Sequence, residues 1–126
     1  MKEIINTKKA PGAIGPYSQA VKANGFVFIS GQLPLNPETG AFPEGGVKEQ
    51  TRQSLKNLQA ILEADNLSFS DVVRTGVFLK DMEDFAAMNE VYGEFFTEKF
   101  PARVCVEVAR LPKDARVEIE VMAVCE

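Results

Sequence analysis

Hydrophobic and polar residues alternate with two different periods along this chain, and the two periods predict helices and strands in different places. Apolar residues at helical spacing predict one helix from Val47 to Ala64 and a second from about Glu83 to Phe96. Asp81 resembles an N-cap for the second helix, because its side-chain oxygen can accept from backbone N–H groups of the first turn. The second helix places five apolar residues on one face: Phe85, Met88, Tyr92, Phe95 and Phe96.

Shorter β-prone runs predict the strands, beginning with EIINT, YSQAVKA and FVFIS in the first part of the chain. Asn24 and Gly25 separate the last two of these runs and predict a two-residue hairpin, because both residues tolerate positive φ. The runs VVRTGVFLK, RVCVEV and RVEIEVMAVC complete the set, so the element order is β-β-β-α-β-α-β-β. This order predicts an α+β fold: a single mixed β-sheet of about six strands, with both helices packed on one face.

The stretch PARVCVEVA, from Pro101 to Ala109, alternates charged or thiol side chains with valines and predicts a strand with two different faces. We expect the apolar residues of the last two strands to face the helices: Val104, Val106, Val108, Val117, Ile119 and Val121. The alternate residues should face the uncovered side: Arg103, Cys105, Glu107, Glu118, Glu120 and Met122. A mixed apolar and charged face predicts an oligomer interface, and a cation beside acids there makes a pocket for a small anion.

Composition excludes several kinds of site. The 126 residues contain no histidine, which excludes Ser-His-Asp and Cys-His catalysis, and two isolated cysteines cannot supply the ligands of a structural zinc. The net charge of −4 opposes a nucleic-acid-binding surface, which needs a basic stripe. We expect a single domain over residues 1–126 in the reducing cytoplasm, with no metal. We also expect neither a signal peptide nor a membrane span, because no apolar run has the required length.

Four motifs identify a resemblance that covers essentially the whole chain. PARVCVEVARLPKDARVEIE (101–120), GPYSQAV (15–21), SGQLP (30–34) and MNEVYGEFF (88–96) are similar in order and spacing to motifs of the Rid family, the RidA/YjgF-type reactive-intermediate deaminases. The resemblance implies a fold similar to that of a trimeric chorismate mutase, with the last strand in the middle of the sheet and sites between the subunits of a homotrimer. It also implies hydrolysis of 2-iminopropanoate and 2-iminobutanoate to 2-oxo acids and ammonia, which protects pyridoxal-phosphate enzymes from 2-aminoacrylate. It implies no cofactor and no metal.

The resemblance assigns catalytic roles to Arg103 and Glu118. Arg103 would hold the substrate carboxylate, since a guanidinium presents two parallel donors and stays charged; from the residues alone, a surface ion pair is the alternative. Glu118 would orient the attacking water and share its proton, and the alternative is a solvated strand face. Glu120 matches a similar acidic position, and Glu107 is expected to be structural.

Five further residues would bind the substrate by resemblance: Tyr17, Ser30, Gly31, Asn89 and Cys105. Tyr17 would form a wall of the pocket, and Ser30 and Gly31 would offer a hydroxyl and a backbone N–H group. Asn89 lies at the edge of the apolar face of the second helix, where a structural hydrogen bond is the alternative. Cys105 would line the pocket without attacking the substrate, because no histidine is present to activate its thiol.

Two functional alternatives stay open. One is a non-catalytic regulatory trimer that binds small carboxylates through the same arginine. It predicts ligand binding without acceleration of imine hydrolysis. The other is an RNA-directed or chaperone-like role within the same broad family, and the acidic net charge and the absence of histidine oppose ribonuclease chemistry.

Overall fold

The computed structural model of the protein describes residues 1–125 and has the predicted α+β architecture. The strands are β1 (Glu3–Ile5), β2 (Ala20–Ala23), β3 (Phe26–Gln32), β4 (Val72–Leu79), β5 (Ala102–Glu107) and β6 (Val117–Val124), and the α-helices are α1 (Val47–Ala64) and α2 (Phe85–Phe95). Over residues 1–125 the strands form a six-stranded sheet in the order β1-β2-β3-β6-β4-β5. The β4–β5 pair is parallel and the other pairs are antiparallel, so the sheet is mixed as predicted. The last strand lies in the middle of the sheet, as the resemblance implied.

Local sequence signals explain where several elements begin and end. Asn24 (φ 52°) and Gly25 (φ 81°) form the two-residue turn between β2 and β3, which confirms the predicted hairpin. The Asp81 carboxylate accepts a hydrogen bond from the N–H of Glu83 (2.9 Å) and caps a short 3₁₀ turn, Met82–Asp84. The second α-helix therefore begins at Phe85, after this turn, rather than at Glu83.

Both helices pack on the same face of the sheet and bury its alternate residues. The helices contribute fully buried side chains to this core: Leu55, Leu58, Ile61 and Leu62 of α1, and Met88 and Val91 of α2. The central strands contribute Val27, Val77, Val117 and Ile119. Burying each such side chain contributes about 1.5–3 kcal/mol, so this shared layer holds the helices against the sheet.

The predicted orientation of β5 is wrong. The parallel register pairs Thr75 with Arg103 and Val77 with Cys105, and paired residues of neighbouring strands point to the same side of a sheet. Because Thr75 and Val77 are fully buried beneath the helices, Arg103 and Cys105 also lie on the helix side, and so does Glu107, which pairs with the buried Leu79. Val104 and Val106 are each 39% exposed and face the open side, while Val108 lies beyond the end of the strand.

The misassignment has a physical reason, namely that hydrophobicity does not distinguish the two sides of β5. On the open side, the valines of β5 lie next to Gly76 and Phe78 of β4. On the helix side, α2 supplies the polar Asn89 as a partner for Arg103. Strand β5 lies at the edge of the sheet, where the open face is apolar and the helix face is partly polar. Its valines therefore face the open side and its polar residues face the helices, which is the reverse of the expected orientation.

The prediction for β6 is confirmed. Val117, Ile119 and Val121 are buried, and the alternate residues Glu118, Glu120 and Met122 are half-buried on the open side. The open face also carries exposed apolar residues: Ile4, Phe26, Phe28, Val104 and Val106. Within residues 1–125, none of the helices combines the length and hydrophobicity that crossing a membrane requires.

Candidate active site

The two residues predicted to be catalytic lie on opposite faces of the sheet. Arg103, on the outermost strand β5, points to the helix side, whereas Glu118, on β6, points to the open side, and β4 lies between them. The predicted site residues therefore separate into two groups. The arginine half-site consists of the predicted residues Asn89, Arg103 and Cys105, together with Phe85 and Tyr92, which the sequence did not predict as site residues. The glutamate half-site consists of Tyr17, Ser30, Gly31 and Glu118.

Three side chains of α2 contact the guanidinium of Arg103. Its Nη1 donates to Oδ1 of Asn89 (2.7 Å), and its Cζ lies 4.8 Å from the ring centre of Tyr92 and 5.6 Å from that of Phe85. Phe85, Asn89 and Tyr92 lie on one face of the helix because they are spaced by four and three residues. A guanidinium that stacks on aromatic rings keeps its remaining N–H donors for a carboxylate.

Cys105 lies two residues beyond Arg103 on the same side of β5. Its half-buried position raises the pKa of the thiol, and the positive charge of Arg103 opposes this change only in part. A raised thiol pKa keeps the sulfur protonated and weakly nucleophilic at neutral pH. This environment suits a residue that lines the site rather than one that attacks the substrate.

The glutamate half-site surrounds a pocket of about 530 Å³ between the segment before β2 and the strands β3 and β6. All four of its members line this pocket, and apolar side chains such as Ile14, Leu33 and Leu35 complete much of the wall. A small 2-imino acid would occupy only part of this volume, because pockets for drug-sized ligands span about 300–1,000 Å³. The structure therefore brings Glu118 next to three predicted site residues from the first part of the chain.

Gly31 makes room for the carboxylate of Glu118. A Cβ added at Gly31 would lie 2.6 Å from Oε2 of Glu118, much closer than atoms of this kind approach without repulsion. The same arrangement recurs on β4, where a Cβ at Gly76 would lie 3.0 Å from Oε2 of Glu120. That second carboxylate also lies 3.5 Å from Nη1 of Arg74. Each glutamate thus lies across a glycine of a neighbouring strand.

The environment of Glu118 raises the pKa of its carboxyl group above the ordinary value. Burial is the larger cause, because it disfavours the charged form, and the nearby charge of Glu120 adds to it. A carboxyl group with a raised pKa takes up and returns a proton closer to neutral pH than an exposed one does. These properties suit a group that orients a water molecule and accepts its proton.

Ser30 and Tyr17 make hydrogen bonds within the protein that limit what they can offer a ligand. The Ser30 hydroxyl donates to the carbonyl of Ser18 (2.7 Å), so its oxygen can accept from a ligand while its proton is already used. The hydroxyl oxygen of Tyr17 accepts from the N–H of Ile14 (3.4 Å), and 53% of Tyr17 is exposed. Tyr17 is therefore placed as an exposed wall of the pocket.

Gln19 holds the wall of the glutamate half-site, although the sequence reasoning gave it no role. Its buried amide donates to the carbonyls of Thr7 (3.0 Å), Ala10 (3.3 Å) and Pro11 (2.8 Å), and its Oε1 accepts from the N–H of Thr7 (2.7 Å). One side chain thus fixes the loop that contributes Pro11 and Gly12 to the pocket. Its place inside the GPYSQAV motif was the available signal.

A second pocket, of about 420 Å³, lies where α1 and β6 end and contains none of the predicted site residues. Lys22 and Asp65 form an ion pair in it (3.2 Å), beside Cys125. The two charges neutralise each other, so Lys22 is not free to bind the carboxylate of a ligand in this pocket. Among residues 1–125, no cluster of His, Cys, Asp and Glu could hold a metal ion.

Comparisons with known proteins identify the family. The family model described as endoribonuclease L-PSP matches residues 7–125. A RutC family protein of Pyrococcus horikoshii is 59% identical over 123 residues, and the 2-iminobutanoate/2-iminopropanoate deaminase of Escherichia coli is 54% identical over 127 residues; both matches cover 98% of each chain. The crystal structure of E. coli TdcF with bound serine has 50% sequence identity and a TM-score of 0.94, covering 98% of this chain and 99% of that one.

The matches extend over nearly the whole length of this chain and of each relative. The residues matched by the family model include both half-sites and all the helices and strands from β2 onward. The order of the sheet and the position of β6 agree with the fold that the sequence motifs implied. The chain therefore belongs to the Rid family, within the proteins described by the endoribonuclease L-PSP family model.

Proposed function

We propose that this protein hydrolyses reactive 2-imino acids, such as 2-iminopropanoate and 2-iminobutanoate, to 2-oxo acids and ammonia. The observation that carries the proposal is the presence of two complementary groups: an arginine held for a carboxylate and a half-buried glutamate over a glycine in a pocket. The E. coli relative named 2-iminobutanoate/2-iminopropanoate deaminase supports this substrate class. Removal of such imines would protect pyridoxal-phosphate enzymes from 2-aminoacrylate.

In the proposed reaction, Arg103 binds the substrate carboxylate through the N–H groups that Asn89 leaves free. Tyr17 and Cys105 line the site, and Ser30 and Gly31 lie beside the reacting groups. Glu118 accepts a proton from a water molecule as the water oxygen bonds to C2 of the imine, and it passes this proton to the imine nitrogen as the second bond of C=N breaks. The hydroxyl of the resulting amino alcohol then gives its proton, through Glu118, to the amino nitrogen as the C–N bond breaks, which releases ammonia and the 2-oxo acid. No covalent bond to the protein is needed.

We propose further that the complete site forms between copies of the chain in a homotrimer. Arg103 and Glu118 lie on opposite faces of the sheet, so one chain does not present both to the same small molecule. The exposed apolar residues of the open face favour association, because their burial removes apolar surface from water. Arg103 of one copy would then complete the glutamate half-site of a neighbour.

A coupled assay tests the activity. Threonine dehydratase supplies the imine in the presence of a trapping amine, and the rate of 2-oxobutanoate release is measured with and without this protein. Wild-type protein should accelerate release, and Arg103→Ala and Glu118→Ala should each lose about 10²-fold or more. Arg74→Ala removes an arginine that lies on the open face and belongs to neither half-site, and this variant should retain most of the activity. Failure of the wild-type protein to accelerate release would contradict the proposal.

Subunit mixing tests the composite site. Arg103→Ala and Glu118→Ala are each inactive in the proposal, but a mixed trimer contains some interfaces with an intact arginine on one copy and an intact glutamate on the other. Unfolding and refolding an equal mixture should therefore restore roughly a quarter of the wild-type activity. If the mixture stays inactive while native mass spectrometry shows mixed trimers, the two residues do not act across an interface.

The arginine half-site also fits a second function, which is non-catalytic binding of a small carboxylate by a regulatory trimer. The E. coli TdcF structure favours this candidate, because the bound serine carries a carboxylate. In that case calorimetry would detect binding of 2-oxobutanoate or serine, Arg103→Ala would abolish it, and imine hydrolysis would stay at the uncatalysed rate. The same set of variants therefore separates the two functions.

We propose that residues 1–126 act as one domain in the cytoplasm. Cys105 and Cys125 are both free, which a reducing compartment would preserve. Over residues 1–125 the strands share a single sheet, and the helices share one core with it. Fractionation of cells that produce the tagged protein would test its location.

A further inference from the structure

The aromatic ring that lies against Arg103 is itself fixed at two places. The hydroxyl of Tyr92 is 2.9 Å from Oγ1 of Thr75 in a buried hydrogen bond. Its ring stacks on that of Phe96, with the ring centres 4.4 Å apart and the planes 27° from parallel. Only 8% of Tyr92 is exposed, and Thr75 is fully buried. These contacts hold the ring of Tyr92 in one orientation beneath the guanidinium.

The strand register brings Thr75 and Arg103 together. The parallel β4–β5 ladder pairs these residues directly, so their side chains leave the sheet next to each other on the helix side. Tyr92 reaches from α2 to the hydroxyl of Thr75, and the guanidinium lies over its ring. Asn89, three residues earlier on the same helix, accepts a hydrogen bond from Nη1. Two strands and one helix therefore converge on the guanidinium.

We propose that Tyr92, held by Thr75, is a positioning residue that works with Asn89 to orient the Arg103 guanidinium before the substrate binds. This inference rests on the proposed role of Arg103 as the carboxylate anchor. An arginine side chain has several rotatable bonds, and ordering it on ligand binding weakens affinity. A ring and an amide that order the guanidinium in advance remove this cost from substrate binding. The side-chain oxygen of Asn89 is thereby assigned to Arg103 and not to the substrate.

The hydroxyl of Tyr92 stays protonated under ordinary conditions. Burial raises its pKa, although the bond to Thr75 and the charge of Arg103 oppose this in part. The hydrogen bond to Thr75 is therefore present at any pH at which the enzyme works. Positioning by Tyr92 should accordingly show no pH dependence of its own.

Four variants separate positioning from a merely structural role. Tyr92→Leu removes the ring, Tyr92→Phe keeps the ring but releases Thr75, and Thr75→Val removes the hydroxyl from the strand side. Phe69→Leu is the matched control, because Phe69 packs edge-on against Phe96 (4.9 Å between ring centres) at the far side of the same aromatic group. Each variant is measured for kcat and KM with 2-iminobutanoate and for calorimetric binding of 2-oxobutanoate. The ¹⁵N signal of the Arg103 side chain reports the orientation of the guanidinium.

Tyr92→Leu should raise KM and the Kd for 2-oxobutanoate by about tenfold, with kcat within about threefold of wild type. Tyr92→Phe and Thr75→Val both release the ring from its hydrogen bond, so each should raise the Kd by a smaller factor of about threefold. The ring current of Tyr92 should shift the Arg103 signal in the wild-type protein and in Tyr92→Phe, and the shift should be lost in Tyr92→Leu. Phe69→Leu should lower the melting temperature but leave both Kd and the Arg103 signal unchanged.

Wild-type affinity in folded Tyr92→Leu would overturn the inference, and so would an equal loss of affinity in Phe69→Leu. If Tyr92→Leu does not fold, Thr75→Val decides: a weakened Kd with a displaced Arg103 signal supports positioning, and unchanged values overturn it. Failure of the proposed function is distinguishable, because the wild-type protein would then show no imine hydrolysis. The Arg103 signal would still show whether Tyr92 orients the guanidinium.

Discussion

Replacing Gly31 with alanine should slow imine hydrolysis by displacing the carboxylate of Glu118. The added Cβ would stand 2.6 Å from Oε2, 3.0 Å from Cδ and 3.2 Å from Cγ of that residue. Ordinary contacts between such atoms begin at about 3.5 Å, so the carboxyl group must move by about 1 Å. A displacement of this size at a reacting group typically reduces the rate about 10²-fold, and we expect kcat to fall by that much. KM should change by less than about threefold, because Arg103 binds the substrate in the other half-site.

The substitution should not act through folding. Gly31 does not adopt a left-handed backbone conformation, and alanine within a strand is more favourable than glycine by about 0.5–1 kcal/mol. Gly76→Ala is the matched control, since its Cβ would lie 3.0 Å from both Cγ and Oε2 of Glu120 and would displace that carboxylate instead. Gly93→Ala, whose added Cβ would meet no atom within 4 Å other than those of neighbouring residues of its own helix, controls for the substitution itself.

The coupled dehydratase assay gives kcat and KM for the three variants, and thermal unfolding and light scattering confirm that each is folded and assembled like the wild-type protein. Gly31→Ala should be the slowest, while Gly93→Ala should match the wild type. A kcat for Gly31→Ala within about threefold of wild type would refute the reasoning, because the position of the Glu118 carboxylate would then not determine the rate. An equal loss in Gly76→Ala would show that Glu120 matters as much as Glu118.

Three further predictions concern pH and stability. Burial and the charge of Glu120 raise the pKa of Glu118, and the carboxylate is the active form. As the pH is lowered, the fall in kcat/KM should therefore begin at a higher pH than it would for an ordinary carboxyl group. Glu120→Gln removes one of the two causes and should move this acid limb to lower pH; an unmoved limb would contradict the assignment. Glu118→Gln should lower the rate about 10²-fold yet raise the melting temperature at neutral pH. The reason is that a carboxyl group whose pKa is raised by folding destabilises the folded state whenever it is ionised. A lower melting temperature would refute this prediction. Asn57→Ala should reduce the free energy of unfolding in urea by about 2–4 kcal/mol, because the buried amide donates to the carbonyls of Leu33 (3.1 Å) and Leu35 (2.9 Å). Gln53→Ala, which removes only the bond to the Asn57 oxygen, should reduce it by about 1 kcal/mol or less.

Elements that depend on neighbouring residues in the chain were predictable from the sequence. The apolar stripe from Val47 to Ala64 specifies α1, because helical periodicity is a local property. The Asn24-Gly25 turn specifies the β2–β3 hairpin, because only the backbone preferences of two residues are involved. The sides of β6 were also predictable, since its buried valines and isoleucine alternate with charged residues in the centre of the sheet.

The candidate site was only partly predictable. The motifs predicted which residues form the site, and the structure places Tyr17, Ser30, Gly31 and Glu118 around one pocket. The sequence did not predict a role for Gln19 or Thr75, because the importance of each comes from partners distant in the chain. The prediction that Arg103 lies on the same side of the sheet as Glu118 was wrong.

By itself, the sequence determined the helices, the strands, the hairpin and the chemistry available to the protein, which includes no histidine but an arginine and several acids. Only the tertiary structure decided which side of β5 faces the helices. The reason is that the parallel register with β4 and the packing of α2 join residues far apart in sequence, and both sides of an edge strand can be partly apolar. That long-range register puts Arg103 against Tyr92 and leaves Glu118 on the opposite face of the sheet.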